Sequence, residues 1–122
     1  MEKNVHFNFK DLIVWQKAIE FADKVIQMTE GLNTDRKHFR LVEQIESSAA
    51  SIAQNISEGK GRFSKKEFVH YLYISRGSLY ETITLLNLFQ RRKWILEDTL
   101  IELEGKAFEI ANMLKGLINS IK

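Results

Sequence analysis

The sequence predicts an all-α protein folded as an antiparallel up-down four-helix bundle. Proline is absent and only six glycines interrupt the 122 residues, so few positions break a helix. Apolar residues recur every three or four positions along four segments, the period of a helix with one buried face. Short links between rods of similar length favour antiparallel neighbours. The predicted helices span residues 11–30, 39–58, 65–92 and 97–121 of a single domain that covers residues 1–122.

The first two predicted helices each end near a glycine. Gly31 follows the last apolar position of the first helix as a C-cap. We expect Gly59 to close the second helix in the left-handed conformation, which glycine adopts without steric cost. Before the first helix, residues 7–9 (Phe-Asn-Phe) form an arm that should pack on the outside of the bundle or on a neighbouring subunit.

The third and fourth helices have charged signals at their ends. The third begins with a capping box, in which the Ser64 hydroxyl and the Glu67 carboxylate would each accept a hydrogen bond from a free backbone N–H group. Three cations, Arg91, Arg92 and Lys93, lie at its C-terminal end, where they suit the negative end of the helix dipole. The fourth helix begins with Glu97 and Asp98, which suit the positive end.

The third helix is apolar around most of its circumference. Between Phe68 and Ile74, His70 is the one polar interruption. A helix of this kind is usually buried on more than one side. Gly77 costs about 1 kcal/mol relative to alanine, and close helix–helix contact would offset that cost. We therefore expect the chain to associate with further copies of itself, although a place at the centre of a single bundle would explain the same pattern.

The net charge of +2 is unevenly distributed along the chain. Residues 60–93 hold eight Lys or Arg side chains against Glu67 and Glu81, while both flanks are mildly acidic. Such asymmetry creates a local positive field. The candidate nucleic-acid-binding residues are Lys60, Arg62, Lys65 and Lys66 at the second link, and Arg91, Arg92 and Lys93 at the far end of the third helix. No base-reading motif accompanies them, so we expect salt-dependent binding that is largely independent of sequence.

Small polar and amide side chains concentrate on one face of the second helix. If they are buried they need partners, because an unpaired buried polar group costs about 1–3 kcal/mol. We expect a structural clasp in which Asn55, Glu58 and Arg62 join the end of the second helix to Arg76 or Glu81 of the third. A ligand pocket is the alternative interpretation of the same residues.

Enzymatic chemistry lacks most of the residues that it needs. The chain has no cysteine, no nucleophile motif and no phosphate-binding glycine loop. Glu67 and His70 have the Glu-x-x-His spacing of di-iron bundles, but those sites need the motif on two helices and glutamates from two others. His6 and His38 lie in predicted loops, and we interpret both as surface residues. We therefore expect no enzyme, no metal site and no cofactor.

The chain also lacks signals for a membrane or for export. No apolar run reaches the roughly 20 residues that cross a bilayer. The first residues lack the charged-then-apolar layout of a signal peptide, and no cysteine is available for disulfides. We expect a cytoplasmic protein without a membrane partner.

Three segments resemble a known family. Residues 9–18 (FKDLIVWQKA), 55–62 (NISEGKGR) and 75–81 (SRGSLYE) resemble the four-helix-bundle proteins encoded in intervening sequences of 23S rRNA genes. The resemblance extends over essentially the whole chain. The positions that carry it near the clasp are Asn55, Glu58, Gly59, Arg62, Arg76, Ser78 and Glu81.

This resemblance implies an assembly more than a chemistry. It implies a homopentameric ring of four-helix subunits, and the family has no established enzymatic activity. The chain is also similar to the accessory variability determinant of diversity-generating retroelements, a basic pentamer that associates with nucleic acid and a reverse transcriptase. One departure is visible, because the family often has a proline where this chain has Ala53 or Gln54. The change should straighten the second helix.

Two functions from different classes follow. The first is a non-enzymatic homo-oligomer that binds RNA or DNA by its phosphates through the basic residues. The second is a protein-interaction scaffold, in which the oligomer surface docks a partner chain and the basic residues serve only solubility.

Overall fold

Four α-helices account for most of the chain. The computed structural model describes residues 5–32, 34 and 38–122. Within these ranges it contains no β-strand, and its helices are α1 (Ile13–Glu30), α2 (Phe39–Lys60), α3 (Lys65–Arg91) and α4 (Glu97–Ile121). The predicted all-α class is confirmed, and each predicted helix begins and ends within two residues of the observed one.

The helices pack in a square in which each contacts its two neighbours in the chain order, and α4 returns to α1. Neither diagonal pair is in contact within the described ranges, and the contact between α2 and α3 is the most extensive. Consecutive helices are thus adjacent, as in an up-down bundle. The α1–α2 pair lies opposite the α3–α4 pair, so these two outer faces are built from different helices.

The core is formed by one apolar stripe from each helix. Its buried positions recur at spacings of four and seven, as expected for helices that turn one face inward. The largest fully buried side chains are Phe21, Val25, Ile45, Ile52, Ile56, Leu72, Leu79, Leu86, Phe89, Leu103, Ile110 and Leu114. Truncation of side chains in such positions typically costs about 2–5 kcal/mol.

Gly59 corrects one expectation. It does not cap α2, which continues to Lys60 and ends at Gly61 in a right-handed conformation (φ −80°). Gly59 is instead buried against α3, and a Cβ atom at this position would lie 2.7 Å from Tyr71 Cβ and 3.0 Å from Phe68 Cδ1. The glycine is therefore required for the close approach of two helices rather than for a left-handed turn.

A row of hydroxyl groups joins α2 to α3, and we call it the hydroxyl seam (Ser48, Ser51, Ser75, Ser78 and Thr82). Ser48 and Thr82 are buried and share a hydrogen bond of 2.8 Å. Ser51 and Ser78 share another of 2.8 Å. Buried Ser75 donates to a backbone carbonyl of α2 at 2.8 Å. The polar face of α2 is thus partly buried, and every buried side-chain N or O atom of the described residues has a partner.

The end of α3 is closed by a non-glycine residue. Lys93 has a φ of 65°, in the left-handed region. Its N–H group donates to the Gln90 carbonyl at 2.9 Å, and the Trp94 N–H group donates to the Phe89 carbonyl at 2.9 Å. The Trp94 and Phe89 rings pack with centroids 5.1 Å apart. These are the bonds and the apolar contact of a Schellman motif, with lysine where glycine is usual.

The N-terminal arm packs on its own bundle. It forms a 3-10 helix at Asn8–Asp11 that contacts α1 and α2. The Phe9 ring lies edge-on to Trp15 with centroids 5.2 Å apart. Of the two predicted positions for the arm, the outside of the bundle is the one observed.

The length and hydropathy of the helices can be compared with what a membrane span requires. In the part of the chain that the structure describes, none is both long and apolar enough to cross a bilayer.

Candidate functional site

The link between α2 and α3, which we call the basic turn (residues 60–66), is held at both ends by its own hydrogen bonds. The N–H groups of Gly61 and Arg62 donate to carbonyls in the last turn of α2 at 3.2 and 3.1 Å. At the start of α3, the Ser64 hydroxyl accepts from the Glu67 N–H group at 3.0 Å, as predicted. The second half of the predicted capping box differs, because the Glu67 carboxylate accepts from the Ser64 hydroxyl at 3.3 Å.

Arg62 belongs to the turn but is held by its neighbours. Its guanidinium donates to Glu58 at 2.9 Å and to the Tyr71 hydroxyl at 2.7 Å, and it lies 4.9 Å from the centroid of the Tyr71 ring. The predicted pairing of Glu58 with Arg62 is therefore present. Its partner on α3 is Tyr71 rather than Arg76 or Glu81, because these two lie five and ten residues farther along, about 7 and 15 Å away at 1.5 Å per residue.

The other predicted clasp residues form separate groups. Asn55 donates to the Ser51 hydroxyl at 2.9 Å, and through it reaches Ser78 of α3. Asn55 and Ser78 therefore extend the hydroxyl seam and do not contact Arg62. The clasp is structural in its geometry, but it consists of two small groups rather than one network.

Arg76 and Glu81 lie outside both groups and are exposed. The Arg76 guanidinium donates to the Tyr80 hydroxyl on its own helix at 3.2 Å. Glu81 accepts from Gln44 of α2 at 3.3 Å. Neither joins the end of α2 to α3 in the manner that the sequence suggested.

Lys65 and Lys66 are exposed cations of the basic turn, and neither has an acidic partner among the described residues. Together with Lys122 they border a groove of about 220 Å³ whose remaining residues are Val69 and Ile121. Lys122 also donates to the Tyr73 hydroxyl at 3.0 Å. Sequence reasoning missed Lys122, because only the antiparallel packing of α4 against α3 brings the end of the chain to this turn.

Most of the predicted basic residues have no acidic partner. The ion pairs formed between two described residues are Lys17–Glu109 and Glu58–Arg62, and His6 shares a hydrogen bond with Asp11. Of the seven predicted cations only Arg62 is therefore paired, and Lys60 lies over the Phe68 ring at 5.8 Å. Positive charge without a local acid attracts anions more strongly than charge in an ion pair.

The second cluster, Arg91–Lys93, is exposed at the opposite end of α3. The 27 residues of α3 separate the two clusters by about 40 Å at 1.5 Å per residue. The chain therefore presents two small cationic sites at opposite ends of the bundle, and they do not converge.

Phe63 occupies the middle of the basic turn and is fully exposed, at 106% of the reference area for its type. Sequence reasoning missed it, since a single apolar residue in a link belongs to no periodic pattern. Its neighbours in the chain are Arg62 and Ser64. The most exposed large apolar side chain of the described residues thus lies within the basic turn.

Two opposite outer faces of the bundle each carry a groove. The α3–α4 groove has a volume of about 630 Å³, and Tyr80 and Phe108 in its lining are 48% and 67% exposed. The α1–α2 groove has about 460 Å³ and is lined by Trp15 and Ile19 among other apolar residues. A Cβ atom at Gly77 would meet no atom within 4 Å, so the close helix–helix contact expected for this glycine is absent within the described structure.

The histidines of the described structure are exposed or half-buried and lie in separate places. Within the described residues no group of three or more His, Cys, Asp or Glu side chains could hold a metal ion. His70 is exposed, and its ring lies edge-on to Tyr71 at 5.7 Å. The two histidines of the predicted loops have contacts that the sequence did not show: His6 pairs with Asp11 at 2.8 Å, and the His38 ring lies 4.4 Å from that of Trp94.

Comparisons with known proteins agree with this architecture. A crystal structure of a protein of unknown function from the S23 ribosomal protein family of Bacteroides thetaiotaomicron superposes with a TM-score of 0.80 at 28% identity, over 86% of this chain and 97% of that one. No curated protein matches the chain. The family model of the 23S rRNA-intervening sequence protein matches residues 10–116. The chain therefore belongs to the 23S rRNA-intervening sequence protein family.

Proposed function

We propose that the protein is a non-enzymatic homo-oligomer that binds the phosphates of RNA or DNA without sequence specificity. The observation that carries the proposal is the set of exposed cations without acidic partners in the described structure, namely Lys65 and Lys66 at one end and Arg91–Lys93 at the other. Phosphate backbones bind to such residues mainly by releasing counterions. The described elements, four α-helices and a short 3-10 helix, add no module of the kinds known to read bases.

Self-association is the second part of the proposal, and it would repeat each cationic cluster in every copy of the chain. The α1–α2 and α3–α4 grooves lie on opposite faces and are built from different residues. Two different faces on one subunit suit a head-to-tail interface, and head-to-tail contacts generate rings when the rotation closes. The family resemblance implies a ring of five, in which five copies of each cluster would act on the same polyanion.

Binding is tested by fluorescence anisotropy with a labelled structured RNA and a labelled DNA duplex at about 50 and 200 mM salt. We expect micromolar or tighter affinity at the lower salt. Neutralising even two phosphates would reduce affinity about tenfold between these concentrations. Absence of binding at about 50 mM salt would contradict the proposal and favour the scaffold alternative, in which a partner chain occupies an exposed groove.

Charge reversal identifies the surface. Because Lys65 and Lys66 have no acidic partner in the described structure, Lys65→Glu combined with Lys66→Glu should weaken binding and leave the oligomer intact. Arg62→Glu is made separately, since it also breaks the contacts to Glu58 and Tyr71.

The matched control reverses two cations on the α1–α4 side. Lys24→Glu combined with Lys106→Glu changes the net charge by the same amount, and both residues border pockets between α1 and α4. Equal loss in the two double variants would show a response to net charge rather than a site. Unchanged binding in the Lys65/Lys66 variant would remove the basic turn from the proposed surface.

A further inference from the structure

Phe63 is presented to solvent by a turn that is held at both ends. The hydrogen bonds of Gly61 and Arg62 close α2, and the Ser64 cap opens α3, so the turn between them is short and defined. The Phe63 side chain itself is fully exposed. An exposed phenylalanine ring does not stabilise the fold, because apolar surface contributes to stability only when it is removed from water.

The surroundings of Phe63 specify the chemistry of a partner. Lys65 and Lys66 follow it without an acidic partner among the described residues, and Lys122 lies beside them. Arg62, which precedes it, is drawn towards Glu58 and Tyr71. A ligand that fits this turn combines negative charge with a flat apolar face, which is the chemistry of a nucleotide with an unpaired base.

We propose that Phe63 stacks on an unpaired base, so that the basic turn prefers single-stranded nucleic acid to a duplex of equal charge. The inference rests on the proposed function and goes beyond it, since phosphate contacts alone would not distinguish a single strand from a duplex of equal charge. A duplex hides the faces of its bases inside the helix, whereas a single strand offers them to an aromatic ring.

An anionic membrane is the competing partner for an aromatic residue among lysines. Insertion into the interface is driven by buried apolar area, and typical interfacial segments present several apolar residues together. Here Phe63 stands alone between Arg62 and Ser64, and the rest of the turn is glycine or lysine. The arrangement therefore favours a base over a bilayer, and the membrane becomes an outcome of the test.

The experiment compares a labelled oligothymidylate with a labelled hairpin duplex of the same number of phosphates, at one salt concentration. We expect the wild-type protein to bind the single strand at least about fivefold more tightly, the lower bound for one stacked base. Phe63→Ala and Phe63→Leu should both lose that factor for the single strand and leave duplex affinity unchanged. Phe63→Trp should retain it, because any aromatic face can stack.

Phe63→Leu is the matched control for hydrophobicity, since it keeps an apolar side chain and removes the ring. The Phe63→Trp variant gives a second readout, as stacking should quench the fluorescence that it adds to that of Trp15 and Trp94 in the wild-type chain. Size-exclusion chromatography with light scattering should give the same mass for every variant.

The outcomes separate this inference from the proposed function. If neither the single strand nor the duplex binds, the stacking role and the proposed function are both contradicted. Binding to both probes that Phe63→Ala does not change leaves the proposed function standing and overturns the stacking role. A fluorescence blue shift of the Phe63→Trp variant with phosphatidylglycerol vesicles, without quenching by oligothymidylate, overturns it in favour of a membrane. Loss of oligomer mass in Phe63→Ala overturns it in favour of a subunit contact.

Discussion

Lys93 shows how one residue can hold a conformation that it does not favour. Its φ of 65° costs a non-glycine residue roughly 1–2 kcal/mol, because its Cβ atom crowds the backbone. The Schellman bonds of Lys93 and Trp94 and the contact of Trp94 with Phe89 offset that cost. We predict that Lys93→Gly raises the free energy of unfolding by about 1 kcal/mol, measured by urea denaturation.

Arg92→Gly is the control for this prediction. Arg92 has a φ of −79°, which every residue adopts, so glycine there removes a charge without relieving strain. It should be neutral or destabilising. Equal stabilisation by both variants would mean that relief of charge repulsion, rather than backbone strain, explains the effect.

Substitution by alanine should have opposite effects on stability at Gly59 and at Gly77. A Cβ atom at Gly59 would lie 2.7 Å from Tyr71 Cβ, so Gly59→Ala must push α2 away from α3. We expect it to destabilise the fold by about 1–3 kcal/mol, as overpacking does. Gly77→Ala meets no atom and should stabilise the subunit by about 1 kcal/mol.

Thermal and urea unfolding of the two glycine variants provide the test. Similar stability changes in both would show that helix propensity alone decides, and that α2 and α3 separate without cost. Sedimentation velocity adds a second result for Gly77→Ala, because a loss of assembly would place this glycine at a subunit contact.

At the scale of elements, the hydroxyl seam decides how α2 meets α3. Ser48 and Thr82 are buried and bonded to each other, so removal of one hydroxyl leaves the other group less satisfied. We predict that Ser48→Ala and Thr82→Val each destabilise the protein by about 1 kcal/mol. The double variant should cost about 0.5–1 kcal/mol less than the sum, a coupling typical of residues in contact.

Urea denaturation of the four proteins in this double-mutant cycle measures the coupling. Ser120→Ala serves as a control, since its exposed hydroxyl bonds only to a carbonyl of its own helix. Strict additivity of the Ser48 and Thr82 variants would show that their hydrogen bond contributes nothing to stability.

At the scale of the whole molecule, the proposed self-association would use the faces that hold the α1–α2 and α3–α4 grooves. Phe108 is 67% exposed in the α3–α4 groove, where an isolated subunit gives it little burial. We predict that Phe108→Glu dissociates the proposed oligomer into single chains without loss of helicity, measured by sedimentation velocity and circular dichroism. The substitution removes an apolar side chain whose burial would contribute about 1.5–3 kcal/mol to such a contact.

Phe39→Glu is the matched control for that variant. Phe39 is 59% exposed, lies at the start of α2 and borders neither groove. It should leave the assembly unchanged. If Phe108→Glu also leaves the mass unchanged, the α3–α4 groove is not a subunit contact and remains available to a partner chain.

Sequence reasoning reached different depths for different residues. The apolar periodicity predicted all four helices, because a helix with one buried face has an apolar residue at every third or fourth position. It also found Ser64 as a cap and Glu58 with Arg62 as a pair, since these are contacts between residues three or four apart. Such local contacts are set by helix geometry alone.

Other residues needed the packed structure. Gly59 was misinterpreted as a cap, since a glycine near a helix end looks the same whether it turns the chain or admits another helix. Tyr71 and Lys122 joined the site from other helices, and Phe63 gained its meaning only from its exposure. Each of these depends on which residues face each other across helices.

The sequence by itself determined the helices, the family and the surplus of positive charge between residues 60 and 93, because these depend on local periodicity, motif and composition. The tertiary structure decided which cations lack acidic partners, which glycine admits a neighbouring helix, and that Phe63 stands exposed in the basic turn. The physical reason is that pairing and exposure are properties of the distances between elements, and the packing of all four helices sets those distances together.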